Sequence, residues 1–217
     1  MRLRLSAGGL AAVCALALAA CGSSSSSTTQ APSTPTTTPS GPVVGFEGVT
    51  IEQGADLGPA WTTTTGATVD GIACGAREEL LYHIHAHLLV FVDGSERALP
   101  GGIGIPGSVV QQTNEGPVAG GGKCIYWLHT HAPDGIIHIE SPLEKVFTLS
   151  NFFDVWGQPL SANQVATASG KVTAYVNGKP WTKPLGSIPL LPHAVIQFDV
   201  GTPAPTPRAF SWAGTQL

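Results

Sequence analysis

The chain has 217 residues, of which only 11% are charged and 42% apolar, and 14 acidic against 10 basic side chains give a net charge of −4. Without a basic run it offers no electrostatic footprint for nucleic acid or anionic lipid. Met1 is the only methionine, which excludes a Met-rich Cu(I) carrier and a blue-copper site with a Met axial ligand.

The N-terminus reads MRLRLSAGGLAAVCALALAAC, with Arg2 and Arg4 ahead of an apolar run too short to span a bilayer comfortably. Residues 1–20 have the layout of an export signal, and Leu18, Ala19, Ala20 and Cys21 resemble the lipobox of bacterial lipoproteins. That resemblance implies cleavage before Cys21 and lipidation of its thiol; the competing reading is an ordinary signal peptide with an accidental cysteine. The mature protein is expected in the cell envelope, lipid-anchored to the outer face of a membrane. Apart from Cys21, residues 21–42 are Ser, Thr, Pro and Gly with one Gln and one Ala and no charge, so they have too little apolar surface to offset ordering entropy and read as a disordered tether. Loss of the signal leaves 8 basic and 14 acidic side chains, a charge of −6.

Residues 43–201 have the size of one domain with a real core. Of the four cysteines, Cys14 and Cys21 belong to the export signal, leaving Cys74 and Cys124 in the domain. In an oxidising compartment that pair is most simply a disulfide. Thiolate ligation is the alternative, weakened because neither cysteine has CxxC or CxxH spacing.

Strand signals dominate. HLLVFVDG and KVTAYVNGK are β-branched and aromatic runs that end in Asp93-Gly94 and Asn177-Gly178, dipeptides suited to tight hairpins. Each is followed at the same offset by a proline, Pro100 and Pro184, a weak internal repeat that convergence explains as well as duplication. AVIQFDVG supplies another strand. In TLSNFFDVWG, Leu149, Phe152, Phe153 and Trp156 recur at helical spacing with Gly157 as a stop. Ser161 and Gln164 have capping-box spacing, so a second helical turn is expected there. Residues 202–217, with Pro203, Pro205 and Pro207, read as an extended Pro-rich tail. The expected architecture is mainly β, a single antiparallel sandwich or small barrel with one or two short helices.

Six of the seven histidines lie between His83 and His138, where an even spread would place about two. In YHIHAHLLV, residues i, i+2 and i+4 share a strand face, so His83, His85 and His87 face one way and Tyr82, Ile84, Ala86 and Leu88 the other. In HTHAPDGIIHIE the turn length decides whether His129 and His131 meet His138 and Glu140. A two-residue turn at Asp134-Gly135 pairs His131 with His138 and His129 with Glu140. A four-residue loop pairs His129 with His138 and keeps one face, and a three-residue loop with a bulge scatters the set. The Asp-Gly dipeptide favours the first. Three alternate residues cover about 13 Å along a strand, so one ion is expected to use a subset of His83, His85, His87, His129, His131, His138 and Glu140; two ions stay open. Imidazole suits Zn(II), Cu(II), Fe(II) and Ni(II), with Zn or Cu favoured. His193, alone after Pro192, reads as a hydrogen-bonded residue without a ligand role.

YHIHAHLLVFVDG, CIYWLHTHAPDGIIHIESP and FFDVWG together resemble an uncharacterised family of exported bacterial and archaeal proteins with an HxHxH strand and an LHTH...GIIHIESP segment. The resemblance covers roughly Gly71 to Gly201. It implies a shared site but no activity or substrate. An acid often directly follows HTH in that family; here Ala132 stands there and Asp134 comes two residues later. A cupin, an α-carbonic anhydrase and a Cu,Zn superoxide dismutase fit less well: after His87 the chain lacks a cupin glutamate, any two strands could imitate the anhydrase pattern, and no long His-rich metal loop is visible.

Three functions remain in view. The leading one is metal binding or sequestration. The second is a metalloenzyme with an open coordination position and Glu140 or Asp134 as general base. The third is a surface interaction module whose histidines are incidental. No nucleophile elbow, phosphate loop or dinucleotide fingerprint is present.

Overall fold

The computed structural model describes residues 41–61 and 66–217. The expected export signal, Cys21 and the expected tether as far as Ser40 lie outside the described residues.

The main sheet begins with β1 (Tyr82–Val92), which turns through Asp93-Gly94 into β2 (Ser95–Arg97). Its other strands are β3 (Leu128–His129), β4 (Ile136–Ser141), β5 (Val172–Val176), β6 (Lys179–Trp181) and β7 (Ala194–Val200). They lie in the order β6-β5-β7-β1-β4-β3, with β2 also on β1. Both expected hairpins form. Asp93 and Gly94 have φ of 49° and 76°, and Asn177 and Gly178 have 50° and 73°, so both central residues are left-handed as a type I′ turn requires. Pairings within this sheet are antiparallel except the central one: β7 runs parallel to β1, with Ala194 opposite Ala86 and Val200 opposite Val92. A parallel pair needs a long crossover, and here the crossover contains β2 to β6.

Alternation along the strands separates the two faces. Ala86, Leu88 and Val90 of β1, Ile137 and Ile139 of β4, and Ile196 and Phe198 of β7 enter one apolar core. The helix α1 (Leu149–Trp156) packs into that core with Leu149, Phe152, Phe153 and Trp156 buried, at the positions its spacing predicts. Asn151 Oδ1 accepts the Thr148 N–H at its start, and Gly157 with φ of 71° ends it.

The helical turn expected at Ser161–Gln164 does not form. Leu160–Ser161 and Gln164–Val165 pair as a small antiparallel ribbon instead. A capping box needs the Gln164 side chain to reach back to Ser161; it donates to the Ala166 carbonyl at 3.1 Å, leaving the box unmade. Cys74 and Cys124 are bridged, tying the segment before β1 to the approach to β3.

The opposite face of β1 is covered by segments from the two ends of the described chain. Glu47, Val49, Ile51 and Glu52 are buried there. The segment after Gly201 has no regular secondary structure but lies on the same face: Phe210 stacks on His87 at 3.9 Å, Arg208 sits over Phe91, and its N–H donates to Gln197 Oε1 at 2.7 Å. The sheet stays open at β6 and β3, so the domain is sandwich-like and no closed barrel forms among the described residues.

Candidate metal centre

Three strands bring the histidines together. β1 pairs with β4 in the register His83 opposite Glu140, His85 opposite His138 and His87 opposite Ile136. β3 pairs on the other edge of β4 with His129 opposite His138. Directly opposed residues share a face, so His85, His138 and His129 form one row across three adjacent strands, with His83 and Glu140 in the next row.

The favoured two-residue turn is not what joins β3 to β4. His129 pairs with His138, not with Glu140, and residues 130–135 form the connection. The backbone of that connection finds other partners. Thr130 O accepts from Gly102, His131 O from Ala119 and Pro133 O from Glu52, so these residues peel away from β4 before the turn can tighten. Gly135 closes the loop at φ of +78°, where a Cβ would stand 2.7 Å from Leu88 O and 2.8 Å from His87 Nε2. The even offset survives, and with it the common face.

The side-chain donors crowd together at separations that one metal ion could span. His83 Nε2 lies 3.0 Å from His85 Nε2 and 3.1 Å from Glu140 Oε1. His138 Nδ1 lies 3.4 Å from the same Glu140 oxygen, and its Nε2 3.2 Å from Glu47 Oε1. His129 Nε2 lies 3.1 Å from His131 Nε2 and 3.8 Å from Glu140 Oε1, and His131 Nε2 is 3.2 Å from Glu78 Oε1. Two ligands held at roughly 2.0–2.1 Å from a tetrahedral ion are about 3.3 Å apart, close to these separations. Three groups have donor atoms all within 4.8 Å of one another: His83, His85, His138 and Glu140; His129, His131 and His138; and Glu78, His129 and Glu140. Both ring nitrogens of His138 and Oε2 of Glu140 are buried without a hydrogen bond. Burial of such atoms is costly unless something satisfies them.

Electrostatics divide the histidines. Burial pushes His85 down to about 3, and the neighbouring His138 and His83 add to the effect. Burial likewise holds His129 well below its ordinary value, with His138 and His131 contributing. For His138 burial also opposes the charge, but Glu140 and Glu47 beside it outweigh that and raise it to about 9. Neither contact has hydrogen-bond geometry, so the attraction is chiefly that of charge. At neutral pH and without a metal, these shifts favour neutral imidazoles at His85 and His129 and an imidazolium at His138.

The remaining residues fall elsewhere. His87 belongs to none of the three groups; its Nε2 contacts the Asp134 carbonyl at 3.0 Å and its ring lies under Phe210. Burial lowers it to about 4. His193 is exposed and stacks on Trp212 at 4.6 Å. Asp134 accepts the Ile136 N–H on Oδ1 and leaves Oδ2 buried and unpaired; burial raises it to about 7. Two carboxylates that sequence reasoning missed join the cluster, Glu47 and Glu78. Glu47 comes from GFEG after the tether and Glu78 from REEL before β1, and neither has a spacing to the histidines that would have marked it.

Phe46, Glu47, Glu78, His83, His85, His131, His138 and Glu140 line a cavity of about 440 Å³. The His83 side chain is 39% exposed, so one side of the cluster is open. No family model, curated protein or solved structure matches this chain.

Proposed function

We propose that this protein is exported, anchored by a lipid on Cys21, and binds a divalent transition metal, Zn(II) or Cu(II) in the first instance, through His83, His85, His138 and Glu140. The observation that carries the reading is the convergence of three imidazoles and one carboxylate, with donor atoms within 4.8 Å of one another and several of them buried without hydrogen bonds. A purely structural buried histidine would have its ring nitrogens paired within the protein. The ligand set is three nitrogens and an oxygen, which suits a borderline cation and does not select among them. Binding or sequestration is the role. The same reading extends to the exported family that the HxHxH strand resembles, whose members would carry the same donors.

A second reading is supported by the open side at His83 and the cavity beside it. An ion there with one exchangeable position would activate water, and Glu47, 3.2 Å from His138, is placed to take a proton. Asp134 does not line that cavity and is a weaker base for this role.

The test is elemental analysis of the full chain, purified without a polyhistidine tag, before and after addition of Zn(II) or Cu(II). His85→Ala combined with His138→Ala should lose uptake at this position, and His193→Ala should keep it. No uptake by the wild-type chain refutes metal binding altogether. For the anchor, Cys21→Ala should move the protein from the membrane to the soluble fraction; unchanged membrane association would refute it.

A further inference from the structure

We infer that the cluster holds two divalent ions, with a second position at His129 and His131 beside the first. The inference rests on the metal-binding reading above and goes beyond it in number and location.

The tautomers carry the second position. His129 Nδ1 lies 2.8 Å from the Tyr126 carbonyl and His131 Nδ1 3.1 Å from the Ala119 carbonyl. A carbonyl only accepts, so in each ring the proton sits on Nδ1 and the lone pair on Nε2. The two Nε2 atoms face one another at 3.1 Å. Two lone pairs at that distance repel, and a cation between them turns the repulsion into coordination. A ring N–H held by a backbone carbonyl is also how metal-bound histidines are commonly oriented. Glu78 lies 3.2 Å from His131, and His138 joins His129 and His131 in a group whose donor atoms lie within 4.8 Å of one another.

One ion cannot gather the whole set. Opposite ligands on even an octahedral ion are about 4.2 Å apart, so all its donors would lie within 4.8 Å of each other. The largest such group among the described residues has four members, and neither His129 nor His131 is in it. The contacts instead run in a line, Glu78 to His131 to His129 to Glu140 to His83 to His85. His138 belongs both to the group with His83, His85 and Glu140 and to the group with His129 and His131, and both its ring nitrogens are buried without a hydrogen bond in the protein.

The experiment is metal stoichiometry. The untagged full chain is stripped with a chelator, reloaded with Zn(II), desalted and measured by elemental analysis, and crystals of the loaded protein are measured at the zinc edge. The expected result is two zinc ions per chain and two anomalous peaks, one beside His83 and His85 and one between His129 and His131. His129→Asn combined with His131→Asn should reduce two ions to one, as should His83→Asn combined with His85→Asn, each sparing the other site. One ion per wild-type chain overturns the second position and leaves the metal-binding reading standing. No ion overturns both. If a double variant fails to fold, the wild-type count and the anomalous peaks decide the matter without it.

Discussion

Replacing His138 with Gln tests whether the centre of the cluster carries a proton when no metal is bound. Between Glu47 and Glu140 the folded-state pKa of His138 is raised from 6.5 to about 9. A raised histidine contributes stability that is fully present below the unfolded pKa, near 6.5, and is lost as pH climbs through about 9. The displacement corresponds to about 3 kcal/mol. Urea unfolding of the metal-free chain at intervals between about pH 6 and about pH 9.5 reads this directly. The stability advantage of the wild type over His138→Gln should be largest at the acid end and should shrink by about 3 kcal/mol across that window. Other titrating groups are common to both proteins and cancel in the difference. Added Zn(II) should reverse the trend: a metal takes the lone pair that the proton occupies, so metal-dependent stabilisation grows with pH over the same range. Parallel profiles for wild type and variant would refute the charge on His138, and the proton competition with it.

Asp134→Asn probes a second buried group. Asp134 is raised to about 7, so its contribution is present near pH 4 and is lost as pH rises through 7. The variant keeps the acceptor for Ile136 and should abolish a fall of at most about 4 kcal/mol in that window, measured by urea unfolding between about pH 4 and about pH 7.5. Gly104→Ala should disturb β3 without replacing a ligand. At φ of +71° the added Cβ would stand 2.3 Å from Leu128 O and 3.0 Å from His129 Cβ. The backbone conformation alone costs roughly 1–2 kcal/mol, and the clash should lower zinc uptake at His129; a variant with wild-type melting and uptake would contradict this. Cys74→Ser with Cys124→Ser opens a bridge spanning 50 residues, worth roughly 4 kcal/mol in the chain-entropy account, and equilibrium unfolding should show a loss of that order.

Much of the fold was legible because period and turn chemistry are local. HLLVFV and KVTAYV alternate, Asp-Gly and Asn-Gly demand left-handed backbone, and Leu149, Phe152, Phe153 and Trp156 mark one helix face; all of these appear where the spacing places them. Ser161 and Gln164 misled because a capping-box spacing states only what a side chain can reach, and Gln164 found Ala166 instead. The turn in HTHAPDGIIHIE misled for a related reason. An Asp-Gly dipeptide favours a tight hairpin in isolation, but Gly102, Ala119 and Glu52 claim the backbone of Thr130, His131 and Pro133.

For the site, strand period alone put His83, His85 and His87 on one face and made a common face for His129, His138 and Glu140 possible. Sequence by itself thus determined the donor types and their sidedness, since both follow from residue identity and a two-residue repeat. Tertiary structure decided which donors meet. The pairing of β1 with β4 placed His85 beside His138, a link between segments about fifty residues apart that no local rule specifies. Packing of Phe210 and the Asp134 loop against His87 took that histidine out of the cluster. The folding of remote loops brought in Glu47 and Glu78, whose value lies wholly in their position.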